Sequence, residues 1–160
     1  MLPRTLLIAG VTAFMLAATG LAPAKAAKLS GDGLVRLESK NSVDETVARA
    51  KSKVALLGVM LFNDIDQAAL AKGAGTTLNP SHLILFGNPP LGIQFLTAEP
   101  FSGIDWPVRM LVLQDSAGKV WIAYTDFAWI AKRHGIKNRD AQLKMASAVA
   151  GMIAAYAAGP

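Results

Sequence analysis

The chain has 160 residues, a hydrophobic content of 52% and a formal net charge of +5. It contains no cysteine, which excludes disulfides, cysteine-ligated zinc, iron–sulfur clusters and thiol nucleophiles. Its basic residues are scattered and do not form a stripe with stacking aromatic side chains, so the sequence does not predict nucleic-acid binding.

The first 26 residues have the three parts of a secretory signal peptide. Arg4 supplies the basic region, residues 5–21 form the apolar region, and Ala24-Lys25-Ala26 has the small-x-small pattern of a cleavage site. An uncleaved membrane anchor is the alternative, but the apolar run is shorter than the ~20 residues that a spanning helix needs. We predict cleavage after Ala26, a periplasmic or secreted location, and no membrane span in the mature chain.

The mature chain suits one domain that needs no metal or disulfide to fold. Loss of Arg4 and Lys25 leaves 14 basic residues against 11 acidic ones, a net charge of +3. We expect residues 27–32 to be a short flexible tail and residues 33–158 to be a single domain.

The N-terminal half of this domain predicts three strands and two helices. Alternation over 33–39 predicts a strand, and Ser42 and Glu45 form a capping box before a helix that Gly58 ends. A strand over 59–65 follows. We expect a short helix over 67–72, capped by the preceding aspartate, and then a strand over 82–86. Glycine ends this helix, and proline precedes this strand.

Asn88 predicts the start of the next helix, over about 90–98. Its side chain can cap the helix, and Pro89 and Pro90 stand at the first turn, where a missing amide hydrogen costs nothing. A loop, FSGIDWP, is expected at 101–107.

Two strands over 108–114 and 119–124 are joined by a four-residue turn at 115–118. A helix capped by Thr125 or Asp126 follows, and Asn138 is expected to cap the last helix, which ends near residue 158. That helix carries a stripe of Met145, Val149, Met152 and Tyr156. Alanines fill much of the rest. We expect this helix to be buried on one side by the sheet, with alanine allowing close approach, or to form a homodimer contact.

The element order is β-α-β-α-β-α-β-β-α-α. A hairpin within an otherwise alternating chain predicts an α+β fold with a mixed, mainly antiparallel sheet of about five strands and helices packed on it.

Five polar or aromatic residues are candidates for ligand binding. Asn88 lies at the bend before a helix, where free backbone amides can bind an anion, although the prolines make an architectural role the simpler interpretation. Asp105 beside Trp106 suits a general base, or a loop cap that bonds its own backbone. Tyr124 and Asp126 end a strand, and Asp126 suits a helix N-terminus. The sequence assigns no catalytic residue.

Neither histidine predicts a metal site. His82 begins a strand, and His134 lies at the expected end of a helix, where a cation is favourable. The methionines stand at apolar positions and are typical core residues. We predict no metal and no cofactor.

Six motifs occur in order along the chain: Ile65-Asp66-Gln67-Ala68, Leu78-Asn79-Pro80-Ser81, Leu85-Phe86-Gly87-Asn88-Pro89, Ile104-Asp105-Trp106-Pro107, Trp121-Ile122-Ala123-Tyr124-Thr125-Asp126 and Arg133-His134-Gly135-Ile136. Together they resemble the bacterial domain of unknown function 302 family over about residues 33–157. The resemblance implies a compact α+β domain, often exported, with no activity established for the family as a whole.

Two positions depart from what the resemblance implies. Family members often have a histidine in place of Gln67, and often Tyr-Asn-Asp in place of Tyr124-Thr125-Asp126. Glutamine forms hydrogen bonds but does not titrate. Any metal-binding or proton-transfer role of that histidine would therefore be missing here.

Three functions remain open from the sequence. The first is a periplasmic binding or accessory module, without turnover, that holds a small molecule or a protein partner near Asn88, Asp105, Trp106 and Tyr124. The second is a hydrolase or isomerase that uses Asp105 and Asp126 as acid and base. The third is a structural or partner-binding homodimer formed through the C-terminal helix.

Overall fold

A computed structural model describes residues 28–29 and 31–160 of the chain. The predicted signal peptide, residues 1–26, lies outside the described residues. The strands are β1 (Lys28–Leu29), β2 (Leu34–Ser39), β3 (Met60–Asp66), β4 (Ser81–Gly87), β5 (Val108–Gln114) and β6 (Val120–Thr125). The helices are α1 (Val43–Leu56), α2 (Gln67–Gly73), α3 (Pro89–Ala98), a 3₁₀ helix (Pro100–Asp105), α4 (Phe127–His134) and α5 (Asp140–Ala158).

The six strands form one sheet in the order β1-β2-β6-β5-β4-β3. The α+β class is confirmed, but every pairing among the described strands is antiparallel, so the expected mixed character is not found. The helix α1 carries the chain from β2 to β3 at the far edge of the sheet, which removes the need for a parallel neighbour.

One face of the sheet forms the core with α1 and α5. Cross-strand neighbours Ile84, Met110 and Tyr124 share this face, and all three are buried. The buried face of α1 packs on β3, β4 and β5, while α5 packs on β2 and β6. Fully buried apolar residues in the centre include Phe86, Val112, Ile122, Ile153 and Val54.

Helix α5 is buried on one side and its alanines allow close approach, which confirms one of the two expectations for it. Its buried face consists of small residues and one isoleucine: Ala146, Ala150, Ile153, Ala154, Ala157 and Ala158. Three members of the predicted stripe, Met145, Met152 and Tyr156, are 59%, 46% and 39% exposed. Alanine lets α5 lie close to the sheet and to α1, and close approach is why the small residues face inward.

Caps and turns follow the local predictions with a few exceptions. The side chains of Ser42, Asp66, Asn88 and Asp126 each accept a hydrogen bond from a backbone amide in the first turn of the helix that follows. Asn138 does not cap α5; its backbone is left-handed, with φ of 58°, a conformation that asparagine tolerates better than most residues.

Two segments are more regular than predicted. The expected tail contains β1, which pairs with Val35 and Arg36, and the expected loop at 101–107 contains the 3₁₀ helix. Among the described residues, no helix has both the length and the apolar character required to cross a bilayer.

Candidate functional site

A cavity of about 150 Å³ lies between α3, α5 and the ends of β4 and β5. Apolar side chains make up most of its wall. Among the lining residues, Phe95 and Phe86 are buried, whereas Met145 and Asn88 are exposed. The other lining residues are Leu57, Val59, Gly87, Leu91, Gly92, Trp106, Val108, Phe127, Ala146, Val149 and Ala150.

Trp106 forms one wall of this cavity because two glycines let its indole approach the backbone. A Cβ atom built on Gly92 would lie 2.3 Å from Nε1 and Cε2 of Trp106, and one on Gly87 would lie 3.2 Å from Nε1. The edge of the ring also meets Phe62 at a centroid distance of 5.4 Å. The proline bend and the tryptophan segment therefore meet at one rim.

Asn88 fixes the start of α3 at this rim. Its Oδ1 accepts a hydrogen bond from the Leu91 amide at 3.0 Å, and Pro89 and Pro90 occupy the first two helical positions. The cap occupies the side-chain oxygen, so the amide nitrogen is the part of Asn88 left for a ligand.

Trp106, a lining residue, carries an indole N–H that can donate a hydrogen bond. Among the described residues, no acceptor bonds the indole Nε1 of Trp106, whereas Nε1 of Trp121 donates to Asp115 at 2.8 Å. An apolar pocket with one or two placed polar groups is the usual form of a small-molecule site. Trp106 Nε1 and the Asn88 amide are the groups that fit this description.

Asp105 is not available to a ligand. Its side chain is 3% exposed, and its oxygens bond Arg109 Nη2 at 2.6 Å, Arg133 Nη1 at 3.2 Å and His134 Nε2 at 2.7 Å. The expected bonds to its own backbone are replaced by side chains from β5 and α4. Asp105 therefore joins the 3₁₀ helix to these two elements.

Tyr124 and Asp126 also lie outside the cavity wall. Tyr124 is 7% exposed in the core, and burial, followed by the negative charge of Asp126, raises the pKa of its hydroxyl above the usual value. Asp126 caps α4 through the Trp129 amide at 2.9 Å. The cavity at Trp106 includes neither Asp105 nor Asp126, and a small one of about 10 Å³ beside Asp105 does not include Asp126.

A second polar cluster lies where β3 and β4 pair. Asp64 accepts hydrogen bonds from Lys51 Nζ at 2.9 Å and from His82 Nδ1 at 2.8 Å. Burial opposes the ionisation of Asp64, but these bonds outweigh it and hold its pKa below the usual value. Gln67 accepts a bond from Ser81 Oγ at 2.7 Å. Within the part of the chain described, no group of acidic and histidine side chains could hold a metal ion.

The structure thus brings together two of the five candidate residues, Asn88 and Trp106. Sequence reasoning missed the cavity walls on α3 and α5. Gly92 was the available signal, because glycine inside a helix is unfavourable and often marks a close contact.

The chain belongs to the family of domain of unknown function DUF302, whose model matches residues 35–154. The crystal structure of the uncharacterized conserved protein DUF302 from Bacillus stearothermophilus is similar, with a TM-score of 0.63 and 16% identity. The match covers 79% of this chain and 95% of that one. This likeness concerns the fold.

Curated relatives carry the name of a membrane transport protein. The fluoride-specific ion channel FluC 1 of Brucella suis is 39% identical over 134 residues, which are 83% of this chain and 53% of that protein. FluC 1 of Brucella abortus is also 39% identical, over 83% of this chain and 50% of that protein. The chain spans about half the length of the curated relatives that it matches.

Proposed function

We propose that this member of the DUF302 family is an exported, non-catalytic binding module that holds a small, mainly apolar molecule in the cavity at Trp106. The observation that carries the proposal is an apolar cavity of about 150 Å³ lined by Trp106, whose indole N–H has no acceptor among the described residues. An apolar cavity of this volume can take a molecule about the size of benzene.

The ligand class follows from the cavity wall. An aromatic or branched aliphatic body fills the space between Phe95, Val149 and Trp106, and an acceptor atom on that body receives the Trp106 Nε1 hydrogen. Within the described part of the chain, no charged side chain lines the cavity, so a neutral ligand is favoured over an ion.

Thermal denaturation with a panel of small aromatic and aliphatic alcohols, ketones and amides tests this function. A ligand at ten times its dissociation constant stabilises the fold by about 1.4 kcal/mol, which raises the melting temperature by a few degrees. Val149→Phe should abolish the shift because the new ring fills the cavity.

Ala148→Phe is the matched control, since Ala148 is exposed on the same helix. It should keep the full shift. A panel that stabilises neither the wild type nor this control would refute the small-ligand function, as would equal shifts in the control and the filled variant.

The acid–base alternative receives no support from the cavities. Asp105 is enclosed by three side chains and Asp126 caps a helix, so neither carboxylate faces the proposed ligand. The export part of the proposal rests on residues 1–26, and N-terminal sequencing of the purified protein should find Ala27 first. A chain that still begins at Met1 would contradict it.

A second candidate function is an accessory domain of a membrane transport protein. The 39% identity to about half of each FluC protein favours it. If this is correct, deletion of the gene should increase the sensitivity of the host to fluoride. Unchanged growth over a fluoride series would remove this candidate.

A further inference from the structure

The 3₁₀ helix directs apolar side chains outward and polar side chains inward. Side chains three residues apart lie above one another on a 3₁₀ helix. Phe101 and Ile104, here called the apolar tip, form one such row and are 83% and 66% exposed. Ser102 and Asp105 form another row, and both are buried. The hydrophobic effect favours the reverse arrangement, so the exposed row is a candidate for contact with something outside the fold.

The contacts of this helix hold the apolar tip in a fixed position. At the start of the helix, the Phe101 amide donates a hydrogen bond to Glu99 Oε1 at 3.3 Å. At its end, Asp105 is bonded to Arg109 on β5 and to His134 on α4. The tip therefore projects from a part of the fold that is anchored at both ends.

A basic segment lies beside the 3₁₀ helix and α3. Arg133 Nη1, at the end of α4, is 3.2 Å from Asp105, and Arg139 Nε donates to the Gln94 carbonyl of α3 at 3.1 Å. Between these two contacts, residues 132–139 contain four lysine and arginine residues and no aspartate or glutamate. The fully exposed cations of the segment are Lys132, Arg133 and Lys137.

Positive charge exceeds negative charge around the apolar tip. Residues 99–109 and 132–140 together hold five lysine and arginine residues against three aspartate and glutamate residues, an excess of +2. One of the three acidic residues, Asp105, is buried beneath Arg109 and Arg133. An excess of exposed cations attracts a surface of anionic lipid headgroups.

A bilayer fits this combination better than a protein partner does. Aromatic and aliphatic side chains enter the interfacial region of a bilayer while adjacent lysine and arginine side chains remain at the headgroups. Protein interfaces are depleted in lysine, and two projecting side chains are far fewer than the ~20 residues that each partner of a stable complex contributes. The exposed apolar residues Met60 and Phe62 on β3 lack basic surroundings, because Asp64 and Asp66 follow them.

We propose that this protein binds peripherally to a lipid bilayer that contains anionic lipid, with the apolar tip inserted at the headgroup level and the basic segment 132–139 against the phosphates. Affinity for such a surface combines buried apolar area with electrostatic attraction. Each basic residue near the surface should contribute about fivefold to the affinity, and burial of the Phe101 side chain should contribute about tenfold or more.

Co-sedimentation of the purified protein with lipid vesicles tests the proposal. One set of vesicles is phosphatidylcholine alone, and the other contains about 30% phosphatidylglycerol as the anionic lipid. The protein should bind the anionic set at least ~10 times more tightly at about 0.1 M salt. Binding should be lost at about 1 M salt, because the Debye length falls from ~10 Å to ~3 Å.

Variants of the apolar tip test the inserted side chain. Phe101→Ser should weaken binding to the anionic vesicles about tenfold. Leu70→Ser is the matched control, since Leu70 is 64% exposed on α2, and it should bind like the wild type. Both residues are exposed, so both variants should keep the wild-type melting temperature. All variants share one N-terminus, which makes the comparison independent of signal-peptide removal.

A pair of charge variants tests the basic segment. Lys137→Gln should weaken binding to the anionic vesicles about fivefold and leave the melting temperature unchanged. Lys72→Gln, at an exposed position on α2, should bind like the wild type. Equal losses in the two variants would mean that net charge alone attracts the protein, which would overturn the assigned surface.

A fluorescent label reports insertion directly. The chain has no cysteine, so Phe101→Cys and Leu70→Cys each carry a single thiol for an environment-sensitive dye. Anionic vesicles should shift the emission of the first to shorter wavelength and leave the second unchanged. Failure of the wild type to bind anionic vesicles would overturn the proposal and leave a protein as the partner of the tip. Equal binding to both lipid compositions, or wild-type affinity in Phe101→Ser, would also overturn it.

Discussion

The contact between Gly92 and Trp106 forms part of the cavity wall. The indole occupies the space that any side chain at position 92 would require, with Cζ2 of the ring 2.8 Å from the position of a Cβ atom. A fixed helix and a fixed ring together keep the wall of the cavity in place, because neither can move into the cavity without losing contacts with the other.

Gly92→Ala should destabilise the fold by about 1–3 kcal/mol, since the added methyl overlaps the Trp106 ring and forces the ring or α3 to shift. Urea denaturation followed by tryptophan fluorescence measures the effect. Gly73→Ala is the control, because nothing lies within 4 Å of a Cβ atom there. Equal midpoints for the two variants would show that the indole does not rest on α3.

Asp64 links the stability of the β3–β4 pair to pH. Its pKa is lower in the folded protein than in the unfolded chain, so its ionised form stabilises the fold above the unfolded pKa of ~3.9, and this contribution is lost as the pH falls through the folded pKa. Asp64→Asn should therefore be less stable than the wild type at neutral pH, and the difference should become smaller as the pH falls towards about 3.

Urea midpoints at about pH 7 and pH 3 check this expectation. The loss at neutral pH should be about 1 kcal/mol or less for a partly exposed ion pair. Asp44→Asn, at an exposed carboxylate on α1, serves as the matched control. A variant at position 64 that loses as much stability at pH 3 as at pH 7 would contradict the assignment.

Single residues show where sequence reasoning reaches its limit. The caps Ser42, Asp66 and Asn88 were predictable because each bonds an amide three residues away. The contacts of Asp105 were not predictable, because its partner Arg133 is 28 residues away in the sequence and no local pattern indicates the pair. The capping rule predicted the cap of Asn88. It gives no information about a ligand, so a role of Asn88 in ligand binding stays a proposal.

At the scale of elements, strand and helix periodicity located the major elements, and the alanine content of α5 indicated its close approach to the rest of the fold. The sequence did not show that the large residues Met145, Met152 and Tyr156 would be exposed. The inward face is instead the one that fits the narrow gap beside α1, and Ala154 and Ala157 are completely buried there. Hydrophobicity scales rank methionine above alanine, but they give no information about the space available between α5 and α1.

Ala154→Leu should destabilise the protein by about 1–3 kcal/mol, because the larger side chain cannot be placed without moving α5 away from its neighbours. Ala148→Leu, exposed on the same helix, should change the stability by less than about 0.5 kcal/mol. Differential scanning calorimetry of both variants measures the difference. Similar melting temperatures would mean that α5 is packed loosely.

For the whole molecule, the single antiparallel sheet separates two surfaces that are covered differently. The core face carries α1, α5 and the cavity at Trp106, while the opposite face carries the half-buried leucines of β4 and β5. The α+β class was predictable from the order of elements, whereas the cavity depends on how α3 and α5 meet, which is a tertiary property. Export, ligand and partner remain proposals with their own tests.

Mass spectrometry of the small molecules released from protein purified from its native host is the most direct measurement of the binding function. We predict a neutral, mainly apolar compound in near-stoichiometric amount from the wild type and from Ala148→Phe, and none from Val149→Phe, in which the cavity is filled. Absence of any such compound from the wild type, or equal recovery from all three proteins, would contradict the account.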